Sequence, residues 1–393
     1  MKLETLAVHA GDRKKPEDYI PVTTPIYGAS SYIYERIEDL DRVFADEKPG
    51  QTYARHGSLT TSALEEQMAA LEGGEFAIAS ASGMASLHLA LQAALVDRRK
   101  SIVAANVLFG QTFTLLMKLL EPAGVSVRFA DPCDLSAFEA AVAEEKPACI
   151  LIETVSNPLL RVPPLDKIAE IARRHGALTV VDATFTTPVL SRPVALGADM
   201  VVHSTTKYLA GHGDVLGGIL ITSREHRATV QTLSRTLGAN LGPFEAYLTM
   251  RGVKTLPLRM ERQCQNACQL AAYLKDHPRV EKVHFPGDPR HPDAETIRRL
   301  FPKGMFGAMV SFEIKDAGRQ EIFRFNDALK LIVRATSLGD VHTLLSYPAI
   351  SSHRELSPKH RQRLGIGDNL LRLSAGIEAA GDIIDDLDQA LRG

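Results

Sequence analysis

From Ser101 onward, short apolar runs and helical segments take turns. That alternation limits the fold more than any other feature of the chain. Ser101–Ala105, Val125–Ala130, Ala148–Ile152 and Leu178–Asp182 are apolar runs of strand length. Between them, Gln111–Leu120, Leu135–Glu145 and Leu165–His175 carry apolar residues at helical spacing. Repeated strand–helix–strand units of this length build a parallel sheet with helices against its faces. In such sheets ligands bind beyond the carboxyl ends of the strands. The polar residues that fall there are Glu153 with Asn157, Asp182, and Lys207.

Lys207 lies between two further apolar runs, Asp199–Val202 and Gly217–Ile221, in a loop rich in glycine and small hydroxyl residues. An amine held against apolar walls loses basicity through desolvation. The neutral amine is a nucleophile toward carbonyls and forms a Schiff base. Ser204 and Thr206 beside it offer hydroxyls for an anion, and a lysine so placed is what pyridoxal 5'-phosphate (PLP) requires of a protein. The alternatives are an ordinary surface lysine and the S-x-x-K motif of serine acyl-transfer enzymes, which Ser204-Thr205-Thr206-Lys207 also fits. That motif's companions are missing: there is no Ser-Asp-Asn, and the one Lys-Thr pair, Lys254-Thr255, is followed by Leu256.

Other segments add to the PLP reading, each with a plainer alternative. Asp182 ends an apolar run and could pair with a protonated ring nitrogen, or simply close a turn. Ala79–Ser86 joins a strand to a helix through small residues, which suits a phosphate at the helix N-terminus or merely a tight start. Tyr53 and Arg55, two apart on an extended segment, point the same way and could hold a phosphate, or belong to a solvated loop.

The length, 393 residues, suits one large domain and one small one. Residues 1–60 show little periodicity and read as an N-terminal arm that reaches a neighbouring subunit. Residues 61–250 read as the cofactor-binding domain. Residues 251–393 read as a second domain of mixed helix and strand: Phe306–Ile314, Ile332–Ala335 and Leu370–Ser374 as strands, with helices over Gln320–Leu329 and Glu378–Leu391. A long helical stretch from Gly242 to Lys275, interrupted at Pro257, links the two. A net charge of -2 gives no pull toward nucleic acid or a membrane surface, and no apolar run approaches a membrane span. With no apolar signal core at the N-terminus, the expected location is the cytoplasm. The four cysteines do not make a metal set; Cys264 and Cys268, four apart on one helix, read as core or boundary thiols.

Taken together, the ordered segments resemble the Cys/Met-metabolism, or trans-sulfuration, family of PLP enzymes. The likeness runs almost end to end, through Leu6–Gly11, Tyr53–Arg55, Ala81–Ala85, Glu153–Pro158, Asp182–Phe185, Ser204–Asp214, Met250–Leu256, Ser337–Gly339 and Leu371–Glu378. It implies the fold type I, aspartate-aminotransferase-like architecture: α/β, with a mainly parallel seven-stranded sheet in the large domain and a smaller α+β C-terminal domain. It also implies a homotetramer made of two catalytic dimers and a small amino-acid substrate. Lys207 would hold PLP and move protons, and Asp182 would pair with the pyridine nitrogen. Ser82, Gly83, Met84, Ser204, Thr206 and Thr184 would surround the cofactor. Tyr53 and Arg55 would reach the phosphate of the neighbouring subunit. Arg372, helped by Asn157 and Ser337, would take the substrate α-carboxylate.

The chain departs from the family at the pocket. The family's ring-stacking tyrosine, which also assists departure of the γ-substituent, is Phe109 here; it can stack but not act as an acid. Tyr53 or Lys207 would have to stand in for that acid. Cystathionine-handling members usually carry Glu before the serine, where this chain has Thr336. Ala183, the segment Gly57–Thr60 and the Ser352-His353 pair also differ from the usual pattern. The expected reaction is γ-replacement on a homoserine ester or related amino acid, with sulfide or a small thiol as the default nucleophile. Elimination from methionine, homocysteine or cystathionine is the alternative within the family, and a non-catalytic PLP-binding descendant is the remote one.

Overall fold

The structure is a computed structural model that describes residues 1–12, 20–354 and 358–392. Part of the N-terminal arm, residues 13–19, lies outside the described residues.

The large sheet holds seven strands: β1 (Phe76–Ser80), β2 (Ser101–Ala105), β3 (Ser126–Ala130), β4 (Cys149–Glu153), β5 (Leu178–Asp182), β6 (Met200–Ser204) and β7 (Gly218–Thr222). Their spatial order is β1-β7-β6-β5-β4-β2-β3. From β6 to β3 every pairing is parallel, and only β7 runs against its neighbours β1 and β6. Helices cover both faces, which is why the inner strands are largely apolar rather than alternating, while edge strand β3 exposes Ser126 and Arg128. In β6, for example, Val201 faces the Leu64, Met68 and Leu71 side, while Met200 and Val202 face Leu87, Ala90 and Leu91. The carboxyl ends of β4, β5 and β6 therefore lie side by side along one edge.

A second sheet follows: β8 (Val280–His284), β9 (Met309–Ile314), β10 (Val333–Arg334), β11 (Leu344–Ser346) and β12 (Leu370–Ser374), in the order β10-β11-β12-β9-β8. It is antiparallel except where β10 meets β11. The helix Leu256–Asp276 spans the two cores. Its Leu256, Met260 and Cys264 pack with the large sheet, while Ala267, Leu270 and Leu274 pack with the small one.

Several local expectations are corrected. The helix over 111–120 splits into Gly110–Thr114 and a π-helical stretch, Leu115–Leu120; the wider turn lets Leu115, Leu116 and Leu120 all be buried. Pro257 does not interrupt a helix. It sits in the first turn of Leu256–Asp276, where its missing N–H costs nothing, and the break falls at Lys254 and Thr255. The strand over 332–335 shrinks to two residues. The arm has helices at Leu3–His9 and Ile37–Phe44, and it is tied to the body where the Thr60 hydroxyl donates to Pro25 O (2.8 Å) and accepts from Tyr27 N–H (2.9 Å).

Candidate active site

A cavity of about 910 Å³ opens at the carboxyl ends of β4, β5 and β6 and reaches the second sheet. Its floor is acidic. Glu153 and Asp182 end neighbouring parallel strands and stand in register. Asp182 Oδ1 accepts the Thr184 N–H at 2.9 Å, yet burial raises the carboxyl's pKa above its usual range. Glu153 Oε1 accepts the Phe109 N–H at 2.6 Å. Burial, and after it the Asp182 charge, push the Glu153 pKa upward.

Lys207 follows β6, in the turn that crosses to β7, and reaches the cavity from the side. Its Nζ donates to Ser337 Oγ at 2.9 Å. Burial lowers its pKa, and the Arg372 charge lowers it further, so the neutral amine becomes accessible. Arg372, on β12, is 5% exposed. Its Nη1 donates to Asn157 Oδ1 at 2.8 Å and its Nη2 to Ser337 O at 3.3 Å. Its Nε is buried and has no partner among the described residues. A guanidinium in that state lacks a carboxylate partner and has donor capacity for one.

The far end of the cavity is a cradle. Ser82 caps the helix Gly83–Leu95 by accepting the Ala85 N–H at 3.1 Å, which leaves the first-turn N–H groups of Gly83 and Met84 facing outward. Gly83 packs so tightly on β6 that a Cβ there would stand 2.7 Å from Ser204 Cβ. Ser204 and Thr206 line the same cradle. The Thr206 hydroxyl is also bound to the Gly217 backbone, accepting at 3.0 Å and donating at 3.2 Å. Thr184 Oγ1 accepts the Ser204 N–H at 2.9 Å, so it braces the cradle as well as lining it.

Phe109 and Thr336 complete the wall over the floor. Phe109 is 38% exposed, with its ring free to cover a planar ligand. Among the described residues lining the cavity there is no tyrosine, and the carboxylates are the two on the floor. Tyr53 and Arg55 do not line it. Tyr53 is 45% exposed, with the Arg55 guanidinium 5.6 Å from its ring centroid, and Arg55 Nη1 donates to Arg235 O at 2.7 Å. The structure thus brings together Lys207, Asp182, Ser82, Gly83, Met84, Phe109, and the Arg372 group, and leaves the Tyr53 pair outside.

Besides Glu153, three lining residues carry charge or titrate and had no assigned role in the sequence reading. His353 is buried and its pKa falls to about 4, through desolvation first and then the Arg372 and Arg361 charges. Lys118 and Arg354 stand exposed at the rim. No spacing rule links either to Lys207; only the approach of two loops does. That approach depends on Gly110, where a Cβ would come within 2.2 Å of Ser352 O.

A lysine of depressed basicity and a half-buried carboxylate at neighbouring strand ends, with a helix N-terminus in the same cavity, are what a PLP-dependent enzyme of fold type I requires. The chain matches the model of the Cys/Met metabolism PLP-dependent enzymes over residues 4–392, and it belongs to that family. It is 39% identical to O-succinylhomoserine sulfhydrylase of Pseudomonas aeruginosa, over 99% of this chain and 94% of that protein. It is 40% identical to L-methionine gamma-lyase of Fusobacterium nucleatum, over 99% of this chain and 98% of that protein. Among solved structures it is similar to cystathionine gamma synthase of Xanthomonas oryzae pv. oryzae, with a TM-score of 0.92 at 36% identity, covering 100% and 98% of the two chains. A structure from Campylobacter jejuni, similar at a TM-score of 0.92 and 29% identity over the whole of both chains, carries N'-pyridoxyl-lysine-5'-monophosphate. The relatives are lyases and synthases of trans-sulfuration, and this chain is a PLP-dependent enzyme of that group.

The residues present fit the cofactor. Asp182 is a half-buried carboxylate whose partners within the chain do not offset its desolvation, as suits a group that pairs with a cationic ring nitrogen. The cradle exists only because Gly83 has no Cβ, and it offers N–H and O–H donors to a phosphate.

Proposed function

We propose that the enzyme replaces the γ-substituent of a homoserine ester, with sulfide or a small thiol as the nucleophile. The observation that carries this reading is the missing phenol: Phe109 forms part of the wall, and no tyrosine lines the cavity among the described residues. A carboxylic acid leaving group has a pKa of roughly 4, whereas a thiol's is roughly 8.5. The ester can depart as a stable anion without an acid to protonate it; a thiolate gains much more from one. Thr336 and the cations Lys118 and Arg354 at the rim also suit a neutral or anionic leaving group better than one bearing an ammonium.

PLP, when bound, supplies the electron sink that acidifies the substrate's Cα and then its Cβ protons. The chain's own groups do the rest. Arg372, with Asn157, holds the substrate α-carboxylate and so fixes which Cα bond faces Lys207. Lys207 Nζ, steered by Ser337, takes the Cα proton, and a proton then leaves Cβ. The Cγ–O bond breaks with its electron pair going to the departing carboxylate. The sulfur nucleophile bonds to Cγ, and protons return to Cβ and Cα. The net change is homoserine ester plus thiol giving a thioether or thiol amino acid plus carboxylic acid. We read Tyr53 and Arg55 as contacts to the cofactor's phosphate, rather than to the departing group, in a second copy of the chain, which would make two copies the smallest active unit.

Elimination is the second reading, supported by relatives named L-methionine gamma-lyase and cystathionine gamma-lyase at 40% and 38% identity. Phe109→Tyr separates the two. Restoring the phenol is expected to raise 2-oxo acid release from methionine or cystathionine by about a hundredfold, the lower end of general acid catalysis. Ester replacement should change far less. An unchanged rate of thiol elimination in this variant would remove the leaving-group argument.

A further inference from the structure

Two carboxyls face the pocket floor where one suffices to pair with a ring nitrogen. Glu153 and Asp182 stand in register on adjacent parallel strands, so their backbones are about 5 Å apart. Both line the cavity, and Glu153 is 9% exposed. Two carboxylates in one buried site do not both ionise; one keeps a proton, and the pair titrates as a unit.

The neighbours decide which. Asp182 receives the Thr184 N–H at 2.9 Å, and His203 on the adjacent β6 also favours its charged form. His203 is itself fully buried against Glu72, with Nε2 and Oε2 3.0 Å apart. Glu153 receives one N–H, from Phe109, and faces burial and the Asp182 charge. The other charged or titratable groups of the cavity are Lys207 in the turn after β6, Arg372 on β12, His353 behind Arg372, and Lys118 and Arg354 at the rim. None of these is among the influences that act on Glu153.

We propose that Glu153 is a positioning residue that carries the shared proton of this pair, and so holds Asp182 ionised against the cofactor's ring nitrogen. The same side chain anchors the backbone of Phe109, so the stacking wall and the ionised floor are set by one group. Glu153 touches no reacting atom; it acts through Asp182 and Phe109.

The test is infrared difference spectroscopy of the holoenzyme, which detects the carbonyl stretch of a protonated carboxylic acid. Protein labelled with 13C in the Glu side-chain carboxyl and protein labelled in the Asp carboxyl tell the residue types apart. At pH 7 the expected result is one acid band that shifts with labelled Glu, does not shift with labelled Asp, and is lost in Glu153→Gln. The variant also separates Glu153 from the buried Glu72. Absence of any such band, its survival in Glu153→Gln, or a shift with labelled Asp overturns the proposal. If the variant does not fold, the wild-type titration decides. The labelled Glu band and the cofactor's visible absorption must change together as pH rises, and independent changes overturn the proposal.

Discussion

Arg372 is buried, its Nε has no partner among the described residues, and its two hydrogen-bonded nitrogens are fixed by Asn157 and Ser337. It is therefore an oriented carboxylate fork rather than a loose charge. Arg372→Lys keeps the charge but loses the fork. The expected outcome is a KM rise that carries most of a roughly hundredfold loss in kcat/KM, about 2.7 kcal/mol; a loss confined to kcat would mean that Arg372 acts on chemistry instead. His353 gives a pH signature. Its pKa falls from an ordinary 6.5 to about 4 in the fold, mainly through burial. Its neutral form is favoured by folding, so its contribution to stability is present above 6.5 and is lost as pH falls from 6.5 through about 4. Denaturant midpoints measured across that window are expected to drop for the wild type and to drop less for His353→Gln. Much of this site was legible from residue types: Lys207, Asp182 and Arg372 have chemistry that few other roles require. His353 was placed at the pocket only through the family resemblance and without a role, and Lys118 and Arg354 were not seen, because residues far apart in sequence meet there only when the loop with Ser352 packs on the Phe109–Gly110 turn.

Among the elements, the strands of the large sheet were the most readable. A parallel strand buried on both faces is a continuous apolar run, and Ser101–Ala105 and Leu178–Asp182 match the observed strands residue for residue. Strand β8 was invisible: Val280-Glu281-Lys282-Val283-His284 lies at a sheet edge, with Glu281 and Lys282 exposed. Edge strands carry charge to discourage further pairing, and that erases the apolar signal. The arm's helix Ile37–Phe44 was missed although Ile37, Leu40, Val43 and Phe44 recur at helical spacing; the pattern spans barely two turns, and only Val43 is buried. The helix Gly83–Leu95 has a consequence that can be measured. Gly83→Ala would press a methyl group on Ser204, and the helix N-terminus must then back away from the cradle. Overpacking of this kind costs about 1–3 kcal/mol. PLP affinity is expected to fall by about tenfold or more in equilibrium dialysis, with a modest loss of stability. Unchanged affinity would show that this helix does not hold the phosphate.

At the level of the whole molecule, one cavity gathers residues from both sheets. Asp182 and Lys207 come from the first, Arg372 from the second, and the helix Leu256–Asp276 locks the two cores together. On the proposed reading, this arrangement orients the substrate's Cα over Lys207. What distinguishes the trans-sulfuration enzymes is the wall over the substrate's distal end, where this chain offers Phe109 and Thr336. The direct measurement is an absorbance titration of the purified holoenzyme with O-acetylhomoserine, O-succinylhomoserine, methionine and cystathionine, each with and without sulfide. The 2-oxo acid and the new amino acid are assayed in parallel. For γ-replacement, an ester must perturb the visible band of the bound cofactor, and sulfide must divert product from 2-oxo acid to a thiol amino acid. Efficient release of 2-oxo acid from methionine or cystathionine, with no diversion of an ester by sulfide, would make the enzyme a lyase and contradict the role given to Phe109.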